Sequence, residues 1–274
     1  MAVSRPPPRS CALQGNSELI HPSALIDPRA ELDVEVSVGP FAVIGPEVQI
    51  GAGTWIGPHA VIQGPARIGR DNRIFQFASV GEIPQDMKYR GEVTRIEIGD
   101  RNTIREFATL HRGTAQDAGV TRVADDTLLM AYTHVAHDCQ VGSHVIMANA
   151  ASLGGHVKVQ DWAILGGFTI VHQFCQLGVH AFCAMGSVVT RDVPPYVTVG
   201  GHPAKPHGIN SEGLRRRGFD AETIQGIRRA YRFLYKSGLT LEQAEAALAE
   251  LAPAVPEVGI LAEFVNRRER SIIR

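Results

Sequence analysis

Eleven histidines punctuate this 274-residue chain, and the spacing of a few of them suggests chemistry. His137 and Gly155 stand eighteen residues apart, and Gln173 stands eighteen beyond Gly155. His134 and Asp138 flank the first position, His156 follows the second and His172 precedes the third. A neutral imidazole with a pKa near neutrality can take a proton from a hydroxyl and pass it to a leaving group. A glycine amide, with no side chain in the way, can donate to the oxyanion that develops when a carbonyl is attacked. His137 is thus a candidate general base for acyl transfer and Gly155 a candidate oxyanion donor. Asp138, or an acid from a loop, could orient the imidazole. These roles require residues eighteen apart in sequence to be neighbours in space, which places a demand on the fold.

A period of six meets that demand. From Ile20, steps of six reach Ile26, Leu32, Val38, Ile44 and Ile50 and continue without a break to Val80. The phase resumes at Ile98, Ile104 and Leu110, and again from Val123 through Val135, Leu153 and Val171 to Val189. A helix repeats every 3.6 residues and a strand every two, so a sustained six means short strands separated by turns at a fixed offset. Three such strands close an 18-residue triangular coil, and stacked coils lie about 4.8 Å apart. Glycine often follows the aliphatic position, as at Gly39, Gly57, Gly69 and Gly154, where permissive φ and ψ are expected to serve the corner. Small residues such as Ala42, Thr54 and Ala151 recur four places after the aliphatic one. The fold class is therefore mainly β, a β-helix with an aliphatic axis.

The repeat is interrupted at about 81–97 and 111–122, read as loops leaving the prism between coils, where binding residues tend to lie. Pro194, Pro195 and the stretch 200–208 end it. Helical periodicity follows: Asp220 is a candidate N-cap for a helix carrying Ile224, Ile227, Tyr231 and Leu234, with Gly238 placed to end it. Thr240 with Gln243 reads as a capping box for a second helix through Leu251, and a third is expected over 257–270. The expected organisation is a frayed tail at 1–16, a β-helix at 17–200 and a helical domain at 201–274.

Lys and Arg total 27 against 28 Asp and Glu, which gives no global electrostatic case for nucleic acid. Four cysteines, Cys11, Cys139, Cys175 and Cys183, form no CxxC pair and are too sparse for a disulfide framework, which favours a reducing compartment. The first sixteen residues lack a signal-peptide core, and no run of eighteen apolar residues exists to form an integral membrane segment. A cytoplasmic location is expected.

The run His134, Val135, Ala136, His137, Asp138, Cys139, followed by Gly155 and His156 and by Val171, His172, Gln173, Phe174 and Cys175, resembles the active-site sequence of the acyl-ACP:UDP-N-acetylglucosamine O-acyltransferases of lipid A biosynthesis, within the hexapeptide-repeat transferases. Gly81, Glu82, Gln85, Asp86, Lys88 and Tyr89 in the first loop match as well. So do His111 to Thr114 in the second loop and Asn210 with Glu212 to Phe219 after the prism. The resemblance implies a left-handed parallel β-helix, a homotrimer with the cleft between subunits, and transfer of a 3-hydroxyacyl chain to UDP-N-acetylglucosamine. It implies His137 as general base for direct attack of the sugar hydroxyl on the thioester, with no covalent intermediate, and Gly155 as oxyanion donor. Gln85, Asp86, Lys88, His134, His156, His172 and Gln173 would line the sugar and acyl cleft, while Asn210, Glu212, Arg216 and Arg217 would hold the UDP portion. No cofactor or metal is expected, the donor being phosphopantetheine-linked acyl carrier protein. Between Lys205 and Lys236 eight basic residues face three acidic ones, a patch suited to steering that acidic partner. Met185 stands where some relatives carry glycine beside the acyl slot, which implies a shorter acyl chain.

Two rivals share the architecture. An acyltransferase acting at nitrogen, or one using coenzyme A, would keep the repeat. A γ-type carbonic anhydrase would bind zinc through histidines such as His134, His137, His144 and His156, but would leave the loop and tail residues without a role.

Overall fold

A computed structural model describes residues 19–267 and 271–274; the tail expected at 1–16, together with Cys11, lies outside the described residues. Twenty-five short strands, from Leu25–Ile26 to Val188–Val189, alternate among three parallel sheets, and a hairpin of Val197–Gly201 and Ala204–Ile209 closes the third sheet. The first sheet holds nine strands and contains His134–Val135 and Ser152–Leu153; the second holds eight and contains Gln140–Val141; the third holds ten and contains Ile146–Met147. Successive strands of a sheet pair in steps of eighteen residues, as His134 with Ser152 and Ser152 with Ile170. The chain is a left-handed parallel β-helix with a helical C-terminal region.

The aliphatic series is the axis. Val38, Ile44, Ile56, Ile62, Ile74, Leu110, Val135 and Val171 are all essentially buried. Each such side chain contributes roughly 1.5–3 kcal/mol on leaving water, and the column runs the length of the prism, so its effect accumulates coil by coil. The residues four places on are buried too: Ala42, Thr54, Ala60 and Ala151 have no exposed surface. At the edge joining second and third sheets, polar side chains at this offset form their own ladder, Thr54 to Asn72 to Asn102 to Thr127, each accepting from the next residue's backbone N–H at 2.8–3.1 Å.

The corners correct one expectation. Glycines after the aliphatic position, such as Gly39, Gly57, Gly69 and Gly154, do not supply the left-handed turn conformation; nineteen non-glycine residues do, each three places after an inward-facing residue of a strand or coil, among them Asp138 (φ 60°), His156 (φ 63°), Trp162 (φ 64°) and His180 (φ 57°), with Gly53 and Gly186 at the same offset. The glycines answer a different constraint, the closeness of the next coil. A Cβ on Gly57 would lie 2.8 Å from the backbone nitrogen of Gln76, and one on Gly69 would lie 2.6 Å from the carbonyl oxygen of Gly99.

Both excursions leave the edge between the first and second sheets. The strands beside them run longer than the hexad breaks suggest, Ser79–Glu82 with Arg95–Ile98 and Thr109–His111 with Val120–Val123, so the segments outside the sheets are 83–94 and 112–119. They add to the coil, so that Ser79 pairs with Thr109 and Thr109 with His134, yet the hydrogen-bonded ladder continues across them.

Beyond the hairpin come helices α1 (Ser211–Arg216), α2 (Ala221–Tyr235), α3 (Leu241–Leu251) and α4 (Pro256–Asn266). The short α1 has too few residues to show a periodic stripe and was not expected. Asp220 caps α2 through the Thr223 N–H, Thr240 and Gln243 form the reciprocal capping box of α3, and Pro256 opens α4. Arg270, the expected end of the last helix, lies outside the described residues; α4 stops at Asn266. Ile227, Leu234, Leu248 and Val258 pack with Tyr196, and the Ile273 N–H donates to the Asp192 carbonyl at 2.8 Å, tying the helices to the last coil.

Gly57→Ala should destabilise the protein by about 1–3 kcal/mol, the range for forcing extra volume into packed space. Gly167→Ala should cost much less, because its Cβ would approach only the Asn149 carbonyl, at 3.4 Å. Calorimetric melting temperatures compare the two, and equal losses would contradict the spacing argument.

Candidate active site

His137, Asp138, Gly155, His156, His172 and Gln173 all fall on the edge between first and second sheets, the edge from which the excursions emerge. Coil-to-coil bonds fix their order: His156 N–H donates to the His137 carbonyl at 3.0 Å, and Phe174 N–H to the Gly155 carbonyl at 3.0 Å. The His137 ring lies over Gly155, where an added Cβ would meet Cε1 at 2.5 Å and Nε2 at 2.7 Å. The Gly155 N–H makes no hydrogen bond among the described residues.

His137 Nδ1 and Asp138 Oδ2 are 2.9 Å apart. Asp138 is almost wholly buried, and burial by itself would raise its pKa; hydrogen bonds from His137, from the Thr114 hydroxyl (2.6 Å) and from the Thr114 N–H (2.9 Å), with the nearby His156, outweigh that and hold it below the usual carboxylate range. An ionised Asp138 accepts from the Nδ1–H of His137, which leaves Nε2 as the basic nitrogen facing Gly155.

A second imidazole stands beside the first. His156 meets the His137 ring edge-on at 5.1 Å, stacks on Phe174 at 4.4 Å, and bonds through Nδ1 to Asp117 Oδ2 at 2.9 Å. Of the two acids the sequence offered for His137, the structure shows the adjacent Asp138; the loop acid Asp117 holds His156 instead. His134 lies one strand position away, bonded through Nδ1 to the Thr109 hydroxyl at 2.7 Å; burial, then the charge of His137, lowers its pKa. Behind it His111 is buried, and burial followed by His134 pushes it down to about 4. His172 and Gln173 are exposed at the outer rim of the edge.

Thr109, Thr114 and Asp117 had no assigned part in the sequence. Thr114 and Asp117 sit in an excursion where the period is suspended, so no register pointed from them to the histidines. The excursions also brace each other, with Arg112 donating to the Gly64 carbonyl and to the Tyr89 hydroxyl. Asp86 and Lys88 form a local turn, the Lys88 N–H donating to Asp86 Oδ1 at 2.9 Å, while the Lys88 side chain and Gln85 are exposed.

The tail residues stand apart from this cluster. The Asn210 side chain accepts from the Gly213 N–H at the start of α1 and donates to the His180 carbonyl at 3.1 Å, at the edge between second and third sheets. Glu212 pairs with Arg215 and Arg216 at 2.8 and 3.0 Å, and the Arg217 guanidinium lies 4.7 Å from the Trp162 ring centre. Met185 is on the third edge, 77% exposed. A single chain therefore distributes the expected substrate residues over three edges.

As for metal, His137, Asp138 and His156 place donor atoms within 4.8 Å of one another. His144 does not join them: it stacks on Trp162 at 3.9 Å, on the second edge. The four-histidine set of a hydrase is not assembled in one chain.

The comparisons bear directly on this arrangement. The profile described as "Udp N-acetylglucosamine O-acyltransferase; Domain 2" matches residues 192–273. The acyl-[acyl-carrier-protein]--UDP-N-acetylglucosamine O-acyltransferase of Halorhodospira halophila is 59% identical over 93% of this chain and 99% of its own length. The enzyme of the same name from Stutzerimonas stutzeri is 53% identical over the same shares. This chain belongs to that acyltransferase family. Among solved structures, LpxA from Acinetobacter baumannii superimposes with a TM-score of 0.92 at 48% identity, covering 94% of this chain and all of that one. The UDP-N-acetylglucosamine acyltransferase of Francisella novicida gives 0.91 at 41% identity, over 93% of this chain and 94% of that one. Membership in the acyltransferase family sets aside the zinc hydrase reading.

Gly155→Ala should reduce turnover by about 10–100-fold with little change in substrate affinity, because the methyl displaces the His137 ring from the amide. Steady-state kinetics checks this, and unchanged turnover would contradict the close approach. A second expectation concerns pH. His111 and His180 both have pKa values pushed from 6.5 to about 4 by burial first. Between those pH values the unfolded chain binds more protons, so stability is full above about 6.5 and falls as pH drops toward 4, by up to roughly 3 kcal/mol for each histidine. Denaturant midpoints should decline from pH 7 to 4.5, and His111→Gln should flatten the decline.

Proposed function

We propose that this protein transfers a 3-hydroxyacyl chain from the thioester of acyl carrier protein to the glucosamine 3-hydroxyl of UDP-N-acetylglucosamine, the reaction that opens lipid A biosynthesis. The observation that carries the mechanism is the His137 imidazole, bonded at Nδ1 to Asp138 and lying over the side-chain-free Gly155. Nε2 of His137 takes the proton of the sugar hydroxyl as its oxygen attacks the thioester carbonyl. The oxyanion of the tetrahedral intermediate accepts from the Gly155 N–H, collapse breaks the carbon–sulfur bond, and the imidazolium returns its proton to the phosphopantetheine thiolate. Neither Cys139 nor Cys183 serves as a nucleophile: both are fully buried, and burial pushes each up to about 12. His156, steadied by Asp117, and His134 line the cleft with His172 and Gln173. Gln85, Asp86 and Lys88 reach the sugar, and no cofactor or metal enters any step.

Asn210, Glu212, Arg216 and Arg217 hold the UDP portion, their guanidiniums suited to phosphate. On this reading they act on the catalytic edge of another subunit, because within one chain they sit on a different edge from His137. A homotrimer would join the two edges. Exposed apolar surface supports such an association: Met87 and Val93 are 94% and 91% exposed on the first excursion, and stacked rings of Phe77, Phe107 and Tyr132 line the third edge at 4.9–5.2 Å spacing. No described helix is long and apolar enough to cross a membrane, and we assign the enzyme to the cytoplasm, where acyl carrier protein would dock on the basic 205–236 segment. Met185 narrows the acyl slot to a chain of about ten carbons, which a ladder of thioesters read by product mass would test.

One complementation experiment tests base and assembly together. His137→Ala should lower turnover at least about 100-fold, and Arg216→Ala should weaken nucleotide binding. Mixed subunits of the two variants should recover about a quarter of wild-type sites, since each site draws one residue from each neighbour. Full activity of His137→Ala would reject the base, and absence of recovery would reject the shared cleft.

A further inference from the structure

The edge between second and third sheets carries a column of flat rings: His144 on Trp162 at 3.9 Å, Trp162 facing His180 at 6.1 Å, and His180 facing Tyr196 at 5.9 Å. All four residues are corner positions of successive coils and share the left-handed conformation, which projects their rings from the same edge one above another. Against this column lies Arg217, the C-cap residue of α1. Its guanidinium carbon is 4.7 Å from the Trp162 ring centre, its Nη1 donates to the Gly213 carbonyl at 3.3 Å, and its Nε is buried without a hydrogen-bond partner.

Arg217 differs from its neighbours in charge pairing. Arg215 and Arg216 share Glu212, whereas Arg217 has no carboxylate partner among the described residues. His180 does not compete for an anion, because burial and then the charge of Arg217 push its pKa down to about 4 and leave it neutral at pH 7. Its Nδ1 is likewise buried without a partner. The result is one unpaired cation on an uncharged aromatic platform, with Asn210 tied to the His180 carbonyl beside it. A guanidinium over an aromatic face is attracted to it and loses rotational freedom there, which aims its remaining N–H groups at an incoming anion.

We propose that Trp162 is a positioning residue for the acceptor nucleotide: its indole holds the Arg217 guanidinium in the orientation that receives the diphosphate. This rests on the reading of Arg217 as a nucleotide-binding residue given above. Trp162 acts through Arg217 and touches no reacting atom.

The test uses the full-length enzyme with UDP-N-acetylglucosamine and an acyl carrier protein thioester. Trp162→Leu should raise KM for the nucleotide sugar about tenfold, with kcat within about twofold and KM for the thioester unchanged. Trp162→Phe, which keeps a flat face, should restore most of the affinity. In a double-mutant cycle, Trp162→Leu with Arg217→Ala should be no worse than Arg217→Ala alone. If Arg217→Ala raises KM while Trp162→Leu does not, or if the two effects multiply independently, the positioning role is overturned and the nucleotide reading survives. If Arg217→Ala leaves KM unchanged, the nucleotide reading of Arg217 fails and this inference goes with it. Melting curves identify any variant that fails to fold. Should Trp162→Leu do so, Trp162→Phe against Trp162→Met decides the matter by the same KM comparison, parity between them being contrary to the proposal.

Discussion

Coil-to-coil spacing is the constraint on which the rest depends. Backbone N–H groups in the strands donate to carbonyls one turn on, as Gly154 does to Val171 and His172 to Val189, and corner groups such as His156 donate one turn back. This ladder sets neighbouring coils at strand spacing. At that separation an inward aliphatic side chain fills the axis, a small residue fills the corner, and several positions tolerate no Cβ at all. The geometry proposed for catalysis is a direct product of the same spacing. An imidazole at one coil can cover the next coil's residue only if that residue has no side chain, and His137 over Gly155 meets this condition.

A rigid prism has little capacity to adjust a functional group, and the protein supplies adjustment through its interruptions. The segment 112–119 leaves the prism and folds back over the same edge, where Thr114 clamps Asp138 and Asp117 holds His156. The buried carboxylate would be costly without partners; with three donors around it, it stays ionised and fixes the tautomer of the base. The repeat thus provides position, and the excursion provides electrostatics.

The two ends of the expected substrate lie on different edges of one chain. The acid–base candidates occupy the first edge, nucleotide-binding candidates the second, and the acyl-length candidate the third. In the proposed homotrimer this separation would give association a chemical purpose beyond covering apolar surface, with Arg217 on its aromatic platform facing the shared cleft.

Sequence alone determined the repeat, because a period of six is written in residue types and needs no tertiary information to count. It also determined the capping of α2 and α3, which depends on residues three apart, and the neighbour relation of His137 and Gly155, which follows from one coil of register. The tertiary structure decided what the period does not encode. The left-handed corner falls mostly to Asp138, His156 and their equivalents, with glycine there only at Gly53 and Gly186 among the described coils, since the glycines after the aliphatic position are set by contact with the next coil and φ is set by the turn. Thr114 and Asp117 reached the active edge through loops whose contacts have no fixed offset. Likewise, the pairing of Arg217 with Trp162 joins a helix terminus to a corner 55 residues earlier in the chain, a contact that only the packing of α1 against the prism creates.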